Sequence, residues 1–291
     1  AAILLAGTYW LKGKIEMGSS KDPRPSFAAG REWAQRVSRA DPRSWRALST
    51  EGHILLEQGL YEDWIGHDPR VTLGQAMAAY RASIALDAGD VTSLVNLGMA
   101  AALVARFEVR RLGQPPGPQA DEAAEVLRAV LERNPLMRCA HRTLGDLLCL
   151  LGQGAILAGT DPSTELAMAA QHLEQAGAIK FNDVNTWFFL AETHLASAGW
   201  EVDRGRSPEA SLARCRVAMA RGEQVSPNTS ALTKLAGAVE MIAARWSAEQ
   251  GRSPLASLAA AERWFERAVL MDPSDQEARA VLLEQALARL E

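Results

Sequence analysis

Five histidines and three cysteines are the side chains best suited to metal or nucleophilic chemistry in this sequence, and their spacing speaks against both uses. His53, His67, His141, His172 and His194 include no pair four residues apart and no H-E-x-x-H, so no helix face offers two imidazoles to one ion. Cys139 and Cys149 are ten residues apart, and His141 or Asp146 could in principle serve either as a base. A nucleophile also needs a group that orients its base, and nothing is spaced to supply one, so these thiols read as groove or core residues. With Cys215 they form an odd, sparse set that fits neither a disulfide framework nor a zinc site, and free thiols imply a reducing, cytoplasmic compartment. The expectation is no catalytic residue, no metal and no cofactor. Asp68 and Asp161 recur as acids between Gly and Pro, where helix capping accounts for them. The eight tryptophans (Trp10, Trp33, Trp45, Trp64, Trp187, Trp200, Trp246 and Trp264) read mainly as core and inter-repeat filling.

The chain that must position these residues has 291 of them, 48% hydrophobic and 23% charged, a globular composition with ample material for a core. Its net charge is −4, and the basic residues are dispersed rather than striped, which argues against a nucleic-acid partner. The apolar stretch from Ala1 to Gly7 is far short of the roughly 20 residues that span a bilayer, and Lys12 and Lys14 follow it, so no membrane partner is expected. A helical pattern is already under way at Ala1, which is not Met, so the chain is expected to be a piece of something longer.

A proline recurs through the whole sequence. Pro23, Pro69, Pro116, Pro162, Pro208 and Pro254 are 46 residues apart, with one step of 47, in phrases such as GHDPRVTL, GTDPSTEL and GRSPLASL. A second column runs through Pro42, Ala88, Pro135, Phe181, Pro227 and Pro273, and a third, of small residues, through Ala6, Gly52, Gly98, Gly145, Ala191 and Gly237. At the first column, Gly66, Gly159, Gly205 and Gly251 precede Asp68, Asp161, Ser207 and Ser253 by two. Gly ends a helix, Asp or Ser caps the next, and Pro suits its first position, so one helix stops and another starts within about three residues. The second column reads the same way, with Asp, Asn or Ser before the Pro capping a new helix. Between breaks the apolar residues keep helical spacing: Leu255, Leu258, Ala261, Trp264, Phe265 and Ala268 form one stripe.

Within this pattern Trp187, Leu190 and Ala191 match the opening W-x2-L-G of the tetratricopeptide repeat (TPR), as do Leu94, Leu97 and Gly98 and His141, Leu144 and Gly145 with the aromatic replaced. Ala261, Phe265, Ala268 and Pro273 match its second half, which Ala76 and Tyr80 repeat. The sequence therefore resembles the TPR family, whose unit has 34 residues. It departs in length: from Gly52 to Ala76 is 24 residues, about twice the family's interval, and the surplus lies at the Gly-x-Asp-Pro turn. At about 1.5 Å per helical residue, each hairpin grows by roughly 9 Å at its joined end. This long variant is similar to the C-terminal repeat arrays of bacterial serine/threonine protein kinases, although no Gly-rich phosphate loop, H-R-D or D-F-G is present.

The resemblance implies an all-α, right-handed α-solenoid of about six antiparallel hairpins. The expected repeats are 1–42, 43–88, 89–135, 136–181, 182–227 and 228–273, with a capping helix over 275–291 whose Leu283, Ala286, Leu287 and Leu290 lie on one side. In such an array the first helix of each hairpin lines a concave surface that takes a partner's peptide or protein segment. Counting from the small-residue column places Arg142, Asp146, Phe188, Glu192 and Lys234 in that groove, and Asn185 is expected to contribute to it with them. The expected function is a protein-interaction scaffold within a larger bacterial signalling protein. The alternatives are a self-associating repeat module and the repeat region of a transcriptional regulator.

Overall fold

The computed structural model describes residues 2–272 and 278–282, and among them every regular element is an α-helix. Twelve follow in order: α1 (Ala2–Gly18), α2 (Arg24–Ala40), α3 (Trp45–Trp64), α4 (Arg70–Leu86), α5 (Val91–Arg111), α6 (Gln119–Arg133), α7 (Arg138–Leu157), α8 (Ser163–Ile179), α9 (Val184–Asp203), α10 (Glu209–Val225), α11 (Ser230–Glu249) and α12 (Leu255–Met271). The chain divides into two compact units, Ala1–Ala158 and Gly159–Glu291. In the first, α1 pairs with α2, α3 with α4 and α5 with α6, and α7 packs on α5 and α6. In the second, α9 pairs with α10 and α11 with α12, and α8 packs on α9. α5 is long and apolar enough by length and composition to cross a bilayer, yet ten of its residues are buried within its own unit.

Each hairpin tip is built on a left-handed residue. Gly66, Gly113, Gly159, Gly205 and Gly251 have φ between 62° and 81°, and Ser20 takes the same place with φ 56°. The reversal lets the next residue's N–H reach back to the last turn: His67 N to Glu62 O, Arg206 N to Glu201 O and Arg252 N to Ser247 O are all 2.8 Å. Ser20 shows that the turn geometry, rather than glycine itself, is what repeats. The acids that follow cap the second helix one position later than their place before proline suggests. Asp22, Asp68 and Asp161 accept the N–H of Arg24, Arg70 and Ser163 at 2.9–3.0 Å, while the proline between is the last residue before the helix. The Arg70 side chain also donates to Asp68 and holds its carboxyl below the ordinary value. That cap is therefore complete above the ordinary carboxylate range and fades as the pH falls through the folded value.

Two expectations need correction. α6 starts after Pro118 rather than at Pro116, and has 15 residues. Pro118 disfavours helical backbone at Gly117, so the helix cannot begin until that proline is passed. At the second column, Asp41, Asn134 and Ser226 do not cap the next helix. Each is extended, with φ between −142° and −137°, and closes the preceding helix by donating its N–H to a carbonyl four residues back. The proline that follows pushes each of them out of helical conformation. Of the expected capping helix over 275–291, residues 275–277 and 283–291 lie outside the described residues; 278–282 are helical, and Ala278 is fully buried with Ala261, Phe265 and Ala268.

The small-residue column is where the two helices of a hairpin meet. A Cβ on Gly52 would lie 2.7 Å from Cε1 of Tyr80, a ring with no solvent exposure. Leu127 and Phe265 press on Gly98 and Gly237 in the same register. The absent side chain lets the helices approach closely enough for the aromatic or branched residue to fill the gap. Gly52→Ala is therefore expected to lower the unfolding free energy by about 1–3 kcal/mol. Gly7→Ala, with nothing within 4 Å of its added methyl, is expected to be neutral or to stabilise by up to about 1 kcal/mol. Ser20→Gly should also stabilise, by about 1 kcal/mol, because it removes the one non-glycine from the tip series. Urea denaturation of the three variants reads all of these directly.

Candidate functional site

The first-helix residues expected to form a groove lie on three helices in two units. Arg142 and Asp146 are one turn apart on α7 in the first unit. Asn185, Phe188 and Glu192 occupy one face of α9 in the second unit, at spacings of three and four, and Lys234 is on α11, which packs beside α9. Asn185 is exposed, whereas Phe188, Glu192 and Lys234 are half-buried. Phe188 stands edge-on to Phe189 at 5.6 Å between ring centres and rests on the core formed by Trp187, Leu190, Leu232 and Leu235. Asp183 starts α9 by accepting the N–H of Asn185 at 3.2 Å, which fixes where this face begins.

Asp146 has another occupation. It is 8% exposed, and a single Arg106 nitrogen on α5 lies 2.8 Å from each of its carboxylate oxygens. The contact joins successive first helices, and others do the same elsewhere in this unit. Lys14 on α1 meets Glu57 on α3 at 2.7 Å. Ser49 on α3 meets Ser93 on α5 at 2.9 Å, and His53 on α3 meets Asn96 on α5 at 2.6 Å. Burial pushes the His53 imidazole below its ordinary value, so the ring is neutral and its Nε2 can accept from the Asn96 amide. Counting from the repeat column finds such a helix face but not these pairings, whose members come from different repeats. The spacings of 40 to 44 residues, a little under one repeat, were the available signal.

Cys149 is buried and accepts from Gln153 Nε2 at 3.5 Å, and burial pushes the Cys215 thiol up to about 12, which removes its thiolate near neutrality. Among the described residues, no three His, Cys, Asp or Glu side chains gather as a metal-holding group. The tryptophans are less uniformly core than expected. Trp187 and Trp200 are buried and Trp64 is 58% exposed, while several carry a cation over the ring, among them Trp200 under Arg204 at 4.2 Å and Trp33 under Arg36 at 4.6 Å.

No protein-family model matches the chain, and neither does any curated protein. Solved structures do. A thermophilic TPR protein of Thermus thermophilus is 13% identical over 81% of this chain and 99% of its own, with a TM-score of 0.52. PilF of Pseudomonas aeruginosa is 13% identical over 97% and 99%, at 0.51. Nro1, a hypoxic regulator of sterol synthesis and nuclear import adaptor, is 12% identical over 98% and 93%, at 0.58. These likenesses show the fold, which is that of tandem TPR hairpins.

The Arg106 contact makes Asp146 a structural residue of the α5–α7 pair. Asp146→Ala is expected to cost about 1–3 kcal/mol in urea denaturation, because it removes both carboxylate oxygens from a guanidinium that is 22% exposed. Arg106→Met with Asp146→Leu should recover most of that loss.

Proposed function

We propose that this chain is a protein-interaction scaffold whose first-helix face takes an extended or helical segment of a partner protein. The observation that carries the reading is the row on α9, where Asn185, Phe188 and Glu192 share one face, with Lys234 on the helix packed alongside. A half-buried aromatic beside an exposed amide and half-buried charged groups is the make-up of an interface hot spot: an anchor that excludes water and neighbours that set register. The rigid hairpins beneath it supply a preorganised platform, which lowers the ordering cost of binding. The wider reading places this scaffold in the cytoplasm, within a bacterial signalling protein with a serine/threonine kinase domain, by resemblance of its long Gly-x-Asp/Ser-Pro hairpins to those arrays. A Gly-rich loop, H-R-D and D-F-G encoded in the same reading frame would support that parent, and a different domain there would overturn it.

A second reading, self-association, is favoured by α1. Leu4, Leu11 and Ile15 are 76%, 54% and 62% exposed along one side of that helix, whereas Tyr61, in register with Ile15 one repeat on, is buried. A second copy covering this stripe would bury it. Leu11→Glu with Ile15→Glu should then abolish any concentration dependence of the light-scattering mass; a mass that stays monomeric at every concentration in the parent chain removes this reading.

The scaffold reading is tested with peptides selected from a displayed library on the intact chain. Lys234→Glu, and separately Phe188→Ala, are expected to weaken the selected peptides at least tenfold in calorimetric titration. That corresponds to about 1.4 kcal/mol or more of lost binding free energy. Unchanged affinity in all of them would overturn the assignment to this face.

A further inference from the structure

The second unit has a cavity of about 410 Å³ among α8, α9 and α10. Its floor is α9, through His194, Ser197, Trp200 and Glu201, and its walls come from α8 and from the start of α10 with the tip before it. At 3.6 residues per turn, His194, Ser197 and Glu201 point to the opposite side of α9 from Asn185, Phe188 and Glu192, so this cavity is separate from the face described above.

His194 differs from the middle repeats at its position. In its register, three after the small-residue column, Leu55, Ala101 and Leu148 are exposed by no more than 1%, while the first and last repeats carry the half-buried Tyr9 and Glu240. His194 is 8% exposed and lines the cavity, and it makes no hydrogen bond among the described residues. Burial, with a lesser push from the Arg214 charge, lowers its imidazole to about 4, so at neutral pH it offers one N–H and one lone pair without charge. Its ring nitrogens, unpartnered among the described residues, open onto the cavity, where a ligand can reach them.

The charges around the cavity are sorted by wall. Arg206 and Arg214 stand exposed on the α10 side, and neither has a carboxylate partner in an ion pair among the described residues; Arg206 acts on Asp161 only through space. Glu174 stands on the α8 wall. Glu201, on the floor, accepts from Ser211 Oγ at 3.0 Å through one oxygen, and its other oxygen is buried without a hydrogen-bond partner. Two unengaged guanidiniums above a neutral imidazole donor make a receptor for a carboxylate, and the opposite Glu174 suits the backbone N–H donors of a peptide carrying it.

We propose that this cavity binds an acidic peptide segment, an Asp or Glu side chain reaching Arg206, Arg214 and His194 while Glu174 accepts from the peptide backbone. The site needs no change in the hairpins and operates independently of the α9–α11 face.

The test is titration of the intact chain, labelled with ¹⁵N in its histidine rings, with three probes: a blocked Glu-rich hexapeptide, its Gln counterpart and inorganic phosphate. The Glu peptide is expected to shift the His194 ring resonances and to bind at least tenfold more tightly than the Gln peptide, with affinity falling as salt rises. Arg206→Glu with Arg214→Glu, both exposed and so harmless to folding, should abolish the response, while Phe188→Ala should leave it intact. His194→Leu, which restores the register seen at Leu55 and Leu148, should weaken the peptide. The proposal is overturned if the Gln peptide binds equally, if only phosphate binds, if the arginine variants bind normally, or if Phe188→Ala removes the response. That last outcome would return the peptide to the α9–α11 face, and failure of the cavity leaves that face untouched.

Discussion

The close approach of two helices at a missing side chain is the contact on which the rest of this structure depends. Where Gly52 meets Tyr80, the ring occupies the volume a Cβ would claim, and the same exchange of small for large recurs at Gly98 with Leu127 and at Gly237 with Phe265. Packing at that density leaves little freedom in how far one helix of a hairpin can slide or rotate against the other. The hairpin then behaves as a rigid piece, and residues on its outer faces inherit a defined place. The face on α9 and the cavity behind it are both consequences of that rigidity.

The tip geometry serves the same end by other means. A left-handed residue turns the chain, a carboxylate or hydroxyl caps the next helix, and proline holds the bend. Glycine is the residue that adopts this conformation without steric cost, yet Ser20 occupies it as well. The packing beneath is thus strong enough to impose the turn on a residue that resists it.

Much of this fold was legible in the sequence, because a repeat states each rule several times. The proline and glycine columns located the turns, whereas the helix contacts at the small-residue column come from the structure. What escaped depends on geometry between repeats or on local exceptions. Pro118 delays α6, a local exception two residues past the proline column that the column itself does not reveal. Asp146 seemed outward-facing by counting, but its partner Arg106 lies 40 residues away, and whether the two meet depends on the rotation between hairpins. In the sequence His194 is one of five scattered histidines; its place in a cavity beside Arg206 and Arg214 comes only from the structure.

The site differs from the fold in this respect. Packing rules repeat from hairpin to hairpin, whereas the proposed recognition rests on individual side chains such as Phe188 and His194. The most direct measurement of the central claim, that the first-helix face of this scaffold holds a partner's peptide, is hydrogen exchange on the intact chain with and without a selected peptide. Slowed exchange in the backbone amides of α9 and α11 is the predicted result. Protection confined to α8 and α10, or none at all at saturating peptide, would contradict it.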